Sequence, residues 1–387
     1  MSDLYLNSLK KLVSYCESED FKGYDPYDTL NSSINFKLFG KWGPPVATQI
    51  QKRNPFNIRP LLGIKKGYNP KGMGLFLKAY ALLYQKTSEK KYLEKADWLF
   101  NWLIKNYSPG YSGLCWGYNF DWASPGSHLA AYTPSVVVTS FVVDGVYAYY
   151  KATNNEQARN AIISSADFIR KDIPVTEFPA GISFAYTKFS TGACYNASLL
   201  AAEVLAKASI LEGKTADNGY IERAISFVLS KQKQDGSWFY SYNSETGKER
   251  KQIDFHQGFV LVSLYNLLNL TGILKEKIET SLKRGLTFYK EQQFQVDGRA
   301  LGRLPRQWPV DIHNQSQGII TFSLLKEHES GYFNFAKQIA TWTINNMQDK
   351  AGYFYYSKYP FFTNRTPYMR WTQAWMLLAL TELITNE

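Results

Sequence analysis

Residues Ser135–Tyr149 read SVVVTSFVVDGVYAY, a run that is apolar almost all round and carries a single charge, Asp144. A helix without a polar face is buried on most sides. The β-branched start, Val136–Val138, would by itself also suit a short strand. Its sister segments decide between the two. Apolar, helix-like runs begin near Gly74, Ser135, Asn196, Gln257, Gln315 and Trp371; the first four are 61 residues apart, and the last two steps are 58 and 56. A fixed period of that length is the mark of stacked supersecondary units.

Each of the first five runs is followed by a second helix-like segment, starting near Lys90, Asn155, Asp217, Leu274 and Gly331, and Leu4 to Cys16 supplies the partner of the sixth. This second set is amphipathic. In Lys91–Tyr107 the residues Tyr92, Ala96, Leu99 and Leu103 form one stripe, while Glu94, Lys95 and Asp97 lie on other faces. Buried helices inside amphipathic ones make two rings. The expected fold is all-α: an (α/α)6 toroid of six helical hairpins, with residues 1–387 as one domain and 45% hydrophobic content to fill its core.

Loop lengths give the ring a direction. Inner-to-outer links are short (Thr87–Lys90, Thr153–Asn154, Glu212–Thr215), whereas outer-to-inner links run to about 20 to 30 residues. All the long links therefore fall at one end, where loops of that length carry function. They share a glycine followed by aromatics: Gly113-Leu-Cys-Trp-Gly-Tyr118, Gly181-Ile-Ser-Phe-Ala-Tyr186, Gly236-Ser-Trp-Phe-Tyr240 and Gly352-Tyr-Phe-Tyr-Tyr356. Such stretches suit short β elements along the rim. They also suit sugar binding, since Trp116, Tyr118, Tyr186 and Trp238 offer flat apolar faces to a sugar ring.

The net charge is +11, from 44 Lys+Arg against 33 Asp+Glu, which would suit nucleic acid, a membrane surface or an acidic polymer. No run of five or six like charges occurs, so nucleic acid is not an expected partner. No stretch approaches the ~20 apolar residues of a membrane span. Cys16, Cys115 and Cys194 are an odd, scattered set with no C-x-x-C pair, and the start of the chain is polar. A reducing, cytoplasmic setting is expected.

At the long-loop end, Asp-x-His recurs in consecutive repeats as Asp254/His256 and Asp311/His313. In an extended segment residues two apart share a side, so each Asp can orient its His for acid–base work. Alternatively each Asp caps the helix it precedes. Asp121 is a further candidate acid, with Asp25 and Asp28 in the first long loop, because glycoside hydrolysis needs two carboxylates. His128, Tyr132, Gln317 and Trp371 are candidate ligand contacts at the same end. Arg303, Arg306 and Arg370 could hold a carboxylate by bidentate bonds. Neutralising a uronate in this way eases removal of its neighbouring proton, with Tyr132, Tyr186 or Tyr195 as a proton carrier. Asp144, mid-way along an apolar helix, is expected to have a buried partner. No histidine spacing suggests a metal ligand pair, no nucleotide loop or Gly-x-Ser-x-Gly elbow is present, and no cofactor is expected. Gln234-Asp-Gly-Ser-Trp238 is similar to a repeat of triterpene cyclases, but it occurs once and without their Asp-x-Asp-Asp acid motif.

Across the whole chain the sequence resembles glycan-active (α/α)6 proteins: glycoside hydrolases, sugar 2-epimerases, and lyase or C5-epimerase domains. Gly23-Tyr-Asp-Pro-Tyr-Asp-Thr-Leu-Asn31, Ile253-Asp-Phe-His-Gln-Gly-Phe259 and Arg370-Trp-Thr-Gln-Ala-Trp375 look like segments of a toroid family found in bacterial exopolysaccharide and capsule clusters. The chain departs from the 2-epimerases in lacking their close His/Glu pattern, and from unsaturated-uronyl hydrolases in lacking a clear Asp pair. The resemblance implies an enzyme acting on a saccharide or glycoconjugate, anionic ones included, by hydrolysis or by epimerisation or elimination. A non-catalytic glycan-binding or assembly protein is the alternative. A prenyl-handling toroid would need the acidic motif that is missing.

Overall fold

Every one of the six apolar runs is a helix whose N-terminus opens on the long-loop end. The computed structural model describes residues 3–124 and 127–387; Met1 and Ser2 of the polar N-terminal stretch lie outside them. The helices are α1 (Asp3–Ser18), α2 (Gly43–Arg53), α3 (Pro70–Thr87), α4 (Lys90–Lys105), α5 (Val136–Thr153), α6 (Glu156–Asp172), α7 (Tyr195–Glu212), α8 (Asn218–Ser230), α9 (His256–Thr271), α10 (Lys275–Gln293), α11 (Ile312–Leu324), α12 (Tyr332–Met347) and α13 (Trp375–Thr385). A π-helical turn, Met369–Ala374, leads into α13.

The inner helices touch in a closed cycle, α3 to α5, α7, α9, α11, α13 and back to α3. Each packs with its outer partner, and α1 lies on α12 and α13, so the two ends of the chain close the ring. The fold is the (α/α)6 toroid. The helix spanning Val136–Val138 settles the strand alternative, with Ser135 capping it through the Val138 N–H.

The repeated loop glycines have a packing role. A Cβ on Gly113 would lie 1.8 Å from the Ser164 carbonyl oxygen of α6, and one on Gly181 2.0 Å from that of Arg223 on α8. Only glycine lets the loop cross the neighbouring outer helix this closely. The next backbone N–H groups are then collected by polar side chains of the inner helices: Trp116 by Thr139, Phe184 by Ser198, Trp238 by Gln257 and Phe354 by Gln373. These bonds explain the polar residues near the start of otherwise apolar helices.

Short antiparallel pairs cover this end: Trp122–Ser124 with Ser127–Leu129, Val175–Phe178 with Gly181–Phe184, and two three-stranded patches built from two-residue strands. The first long loop also contains α2, which the periodicity did not indicate.

Candidate functional site

The start of each inner helix brings side chains to a common cavity: Lys71, Val137, Asn196, His256 and His313 from first turns, and Arg370 from the π-helical turn before α13. The cavity measures about 690 Å³. Its walls come from the long loops and include Tyr118, Phe120, Trp122, Tyr186, Tyr240 and Trp371, with Gln49, Lys52 and Arg53 from α2. Of its charged lining residues, Lys52, Arg53, Lys71, Arg250, Arg303 and Arg370 are basic, against two carboxylates, Asp254 and Asp311. Helix N-termini add positive potential at the same place.

Asp254 takes both roles open to it. Its Oδ1 accepts from the His256 backbone N–H at 3.2 Å and lies 2.6 Å from His256 Nδ1, while Gln252 donates to Oδ2 at 2.7 Å. Burial pulls the Asp254 carboxyl up, but the His256 imidazole and these hydrogen bonds outweigh it and hold the group below the usual carboxylate range. With Nδ1 engaged, Nε2 is the ring nitrogen left for a ligand.

Asp311 and His313 are built differently. The Asp311 carboxylate caps α11 through the His313 N–H at 2.9 Å and accepts from the Trp371 indole at 3.0 Å, without bonding the imidazole. Burial raises it above the ordinary carboxylate range despite these two donors. Both ring nitrogens of His313 are buried without a hydrogen-bond partner among the described residues. Burial, and then the neighbouring basic side chains of Lys71 and Arg370, lower His313 well below an ordinary histidine. Phe255 stacks on both imidazoles, 4.3 Å from His256 and 4.2 Å from His313 between ring centroids, and separates them.

Arg370 also lines the cavity, yet two of its N–H groups are taken by Asp25 at 2.6 and 2.7 Å, a buried bidentate pair. Asp28 is similarly held by the Arg59 Nε at 2.6 Å. Arg303 reaches the cavity wall while donating to the Lys251 carbonyl.

Other candidates lie elsewhere. Trp116 donates its indole N–H to the Leu103 carbonyl and Trp238 to that of Val228; both close the last turn of the preceding outer helix and are buried. Gln317 is buried beneath the floor, bonded to Thr321, on a second cavity of about 40 Å³. That cavity adjoins Asp144, which has two partners, Lys207 at 2.8 Å and Lys78 at 2.9 Å. Asp121 pairs with His128 at 2.8 Å on the rim hairpin. Strand alternation turns Trp122 and Leu129 to the cavity and His128 to the other face. Tyr132 is half-exposed at a positive φ, Tyr195 donates to Glu249, and Arg306 is exposed outside the lining.

Lys71 is a cavity residue that no sequence motif marks. Its amine is buried against the rings of Phe141, Phe259 and Trp375, at 4.2, 5.8 and 5.2 Å from their centroids. Burial, with Arg370 close by, lowers it well below an ordinary lysine, Asp25 opposing. The signal available was positional: Lys71 stands at the helix start that His256, His313 and Arg370 occupy in their own repeats.

No family model matches the chain, and no curated protein does either. Solved structures do match. A GH76 α-mannanase of Bacteroides thetaiotaomicron aligns at a TM-score of 0.67 and 12% identity, over 98% of this chain and 95% of its own. An unsaturated glucuronyl hydrolase specific for heparin gives 0.63 and 13%, covering 99% and 97%. A cellobiose 2-epimerase of Bacillus thermoamylovorans gives 0.65 and 15%, covering 82% and 87%. What these identities establish is the shared fold.

Proposed function

We propose that this chain is an enzyme that moves a proton on an anionic saccharide, by epimerisation or elimination, in the cytoplasm and in surface-polysaccharide metabolism. The observation that carries the reading is the Asp254–His256 pair, 2.6 Å apart, on the wall of a cavity lined mainly by cations and aromatic rings. Asp254 fixes the imidazole so that Nε2 is the basic nitrogen. A uronate carboxylate held by Arg250, Arg303 or Lys52 would lose charge density, making the proton on the adjacent carbon easier to remove. Asp311, raised by burial, keeps its proton to higher pH than an ordinary carboxyl and is the matching donor. The aromatic walls suit sugar rings. Fold relatives that bear the names cellobiose 2-epimerase, D-mannose isomerase and unsaturated glucuronyl hydrolase support a sugar substrate.

Hydrolysis is the second reading. It is favoured by the two carboxyl groups, Asp254 and Asp311, that line the same cavity, the first lowered by its imidazole and hydrogen bonds and the second raised by burial. One experiment separates these from simple binding. Uronic-acid oligosaccharides are incubated with the protein in D2O, and NMR follows deuterium at the sugar carbons, new double bonds and new reducing ends. Exchange or elimination is expected, falling about 10²- to 10⁴-fold in His256→Gln while binding is retained. New reducing ends alone mean a hydrolase. Tight binding with no chemical change would leave a glycan-binding protein.

A further inference from the structure

We propose that the face formed by residues 34–62, at the cavity mouth, docks onto an anionic lipid bilayer. Helix α2 is packed inside out. It turns Pro44, Thr48 and Gln51 inward, and the Gln51 side-chain nitrogen is buried without a partner among the described residues. Its opposite face presents Val46 and Ile50, preceded one turn earlier by Trp42, an i, i+4, i+8 stripe with exposures of 56%, 48% and 66% in chain order. The segments that flank α2 expose further large apolar side chains: Leu38 is 81% exposed, Phe56 75% and Leu61 87%. A water-facing helix places its polar side outward, so an outward apolar stripe marks a contact surface.

Charge selects the occupant. Between Asp28 and Glu89 the chain contains no Asp or Glu, whereas Lys37, Lys41, Arg53 and Lys65 are all exposed there. Bulky aliphatic and aromatic side chains among unopposed cations are the composition of a helix lying in a headgroup layer. A symmetric pair of chains would bring this face against its own copy and set lysine opposite lysine, which disfavours self-association. Nearby, Asn364 of the Ser357–Asn364 hairpin bonds the Asn54 carbonyl at 3.0 Å, and Phe361 at the tip of that hairpin is fully exposed. Among the described residues no helix is long and apolar enough to cross a membrane, so the contact is peripheral. Since Gln49, Lys52 and Arg53 of α2 also line the cavity, docking brings the cavity mouth to the lipid headgroups.

The test is sedimentation of the full chain with phosphatidylcholine vesicles, with and without about 30% phosphatidylglycerol, alongside sedimentation velocity without lipid. Binding to the anionic vesicles is expected. It should weaken at least about tenfold in Val46→Ser/Ile50→Ser and by a similar factor in Lys37→Gln/Lys41→Gln. All four substituted side chains are exposed, so unchanged thermal unfolding confirms that the variants fold. Equal binding to neutral and anionic vesicles, or binding to neither, overturns the proposal. So does a stable dimer that Val46→Ser/Ile50→Ser dissociates, because the stripe is then covered by a second copy.

Discussion

Lys71 and His313 sit in the cavity floor under the same constraint: each is a buried base with no carboxylate bonded to it among the described residues, and each resists taking up a proton. Such groups work against folding. The folded-state value of Lys71 lies below its unfolded one, so unfolding takes up a proton and becomes easier as pH falls from about 10. Lys71→Met keeps the length of the side chain and removes that linkage. It should stabilise the protein by about 1–4 kcal/mol near neutrality, with a gain that shrinks between pH 7 and pH 9. Urea unfolding of both proteins at the two pH values measures this. A gain independent of pH would mean that the lysine stays charged in the fold. Proton transfer on a bound saccharide should fall in the same variant, which would explain why a destabilising residue stands there.

At the scale of elements, Trp116 and Trp238 show why aromatic residues in long loops are ambiguous. Each indole bonds the last turn of an outer helix, a duty that composition cannot distinguish from stacking on a sugar. Trp238→Phe removes the indole donor and leaves the Val228 carbonyl with the Lys231 N–H alone, a loss of about 0.5–1.5 kcal/mol. Thermal or urea unfolding reads the loss, and saccharide affinity should stay within about twofold. A large affinity change at unchanged stability would restore Trp238 to the binding surface. The helices themselves were legible because burial on all sides forces an apolar run, and the starts expected near Lys90, Asn155 and Leu274 fall within a residue of those observed. Asp254 and His256 were legible because two residues and a helix start fix their geometry. Lys71 was not: Pro-Lys-Gly at the head of a helix reads the same whether the first turn faces solvent or a cavity floor. Helix α2 was hidden too, since its Gly-Pro-Pro start and its inverted faces defeat both periodicity and burial rules.

At the scale of the molecule, closure of the ring depends on joining its two ends. Helix α1 buries Tyr5, Leu9, Leu12 and Cys16 against the last repeat. The joint is also polar: Tyr5 donates to the Lys337 carbonyl at 3.1 Å, and Ser8 and Gln348 bond each other through side chain and backbone. Gly352 in turn abuts the Lys11 carbonyl, repeating at the junction the loop-over-helix contact of the other repeats. Burying each of the larger three, Tyr5, Leu9 and Leu12, is worth about 1.5–3 kcal/mol, so together they are comparable with the whole stability of a typical fold, about 5–15 kcal/mol. Loss of α1 would also uncover the flank of α13, whose preceding turn carries Arg370 and Trp371 into the cavity. A chain lacking residues 3–18 should therefore lose its cooperative unfolding transition and expose apolar surface, seen by calorimetry and by dye binding. Adding the α1 peptide in excess should restore a transition whose midpoint rises with peptide concentration. If the shortened chain unfolds cooperatively within about 1 kcal/mol of the full one, the remaining eleven helices of the two rings carry the fold without closure, and the geometry of the cavity floor does not depend on it.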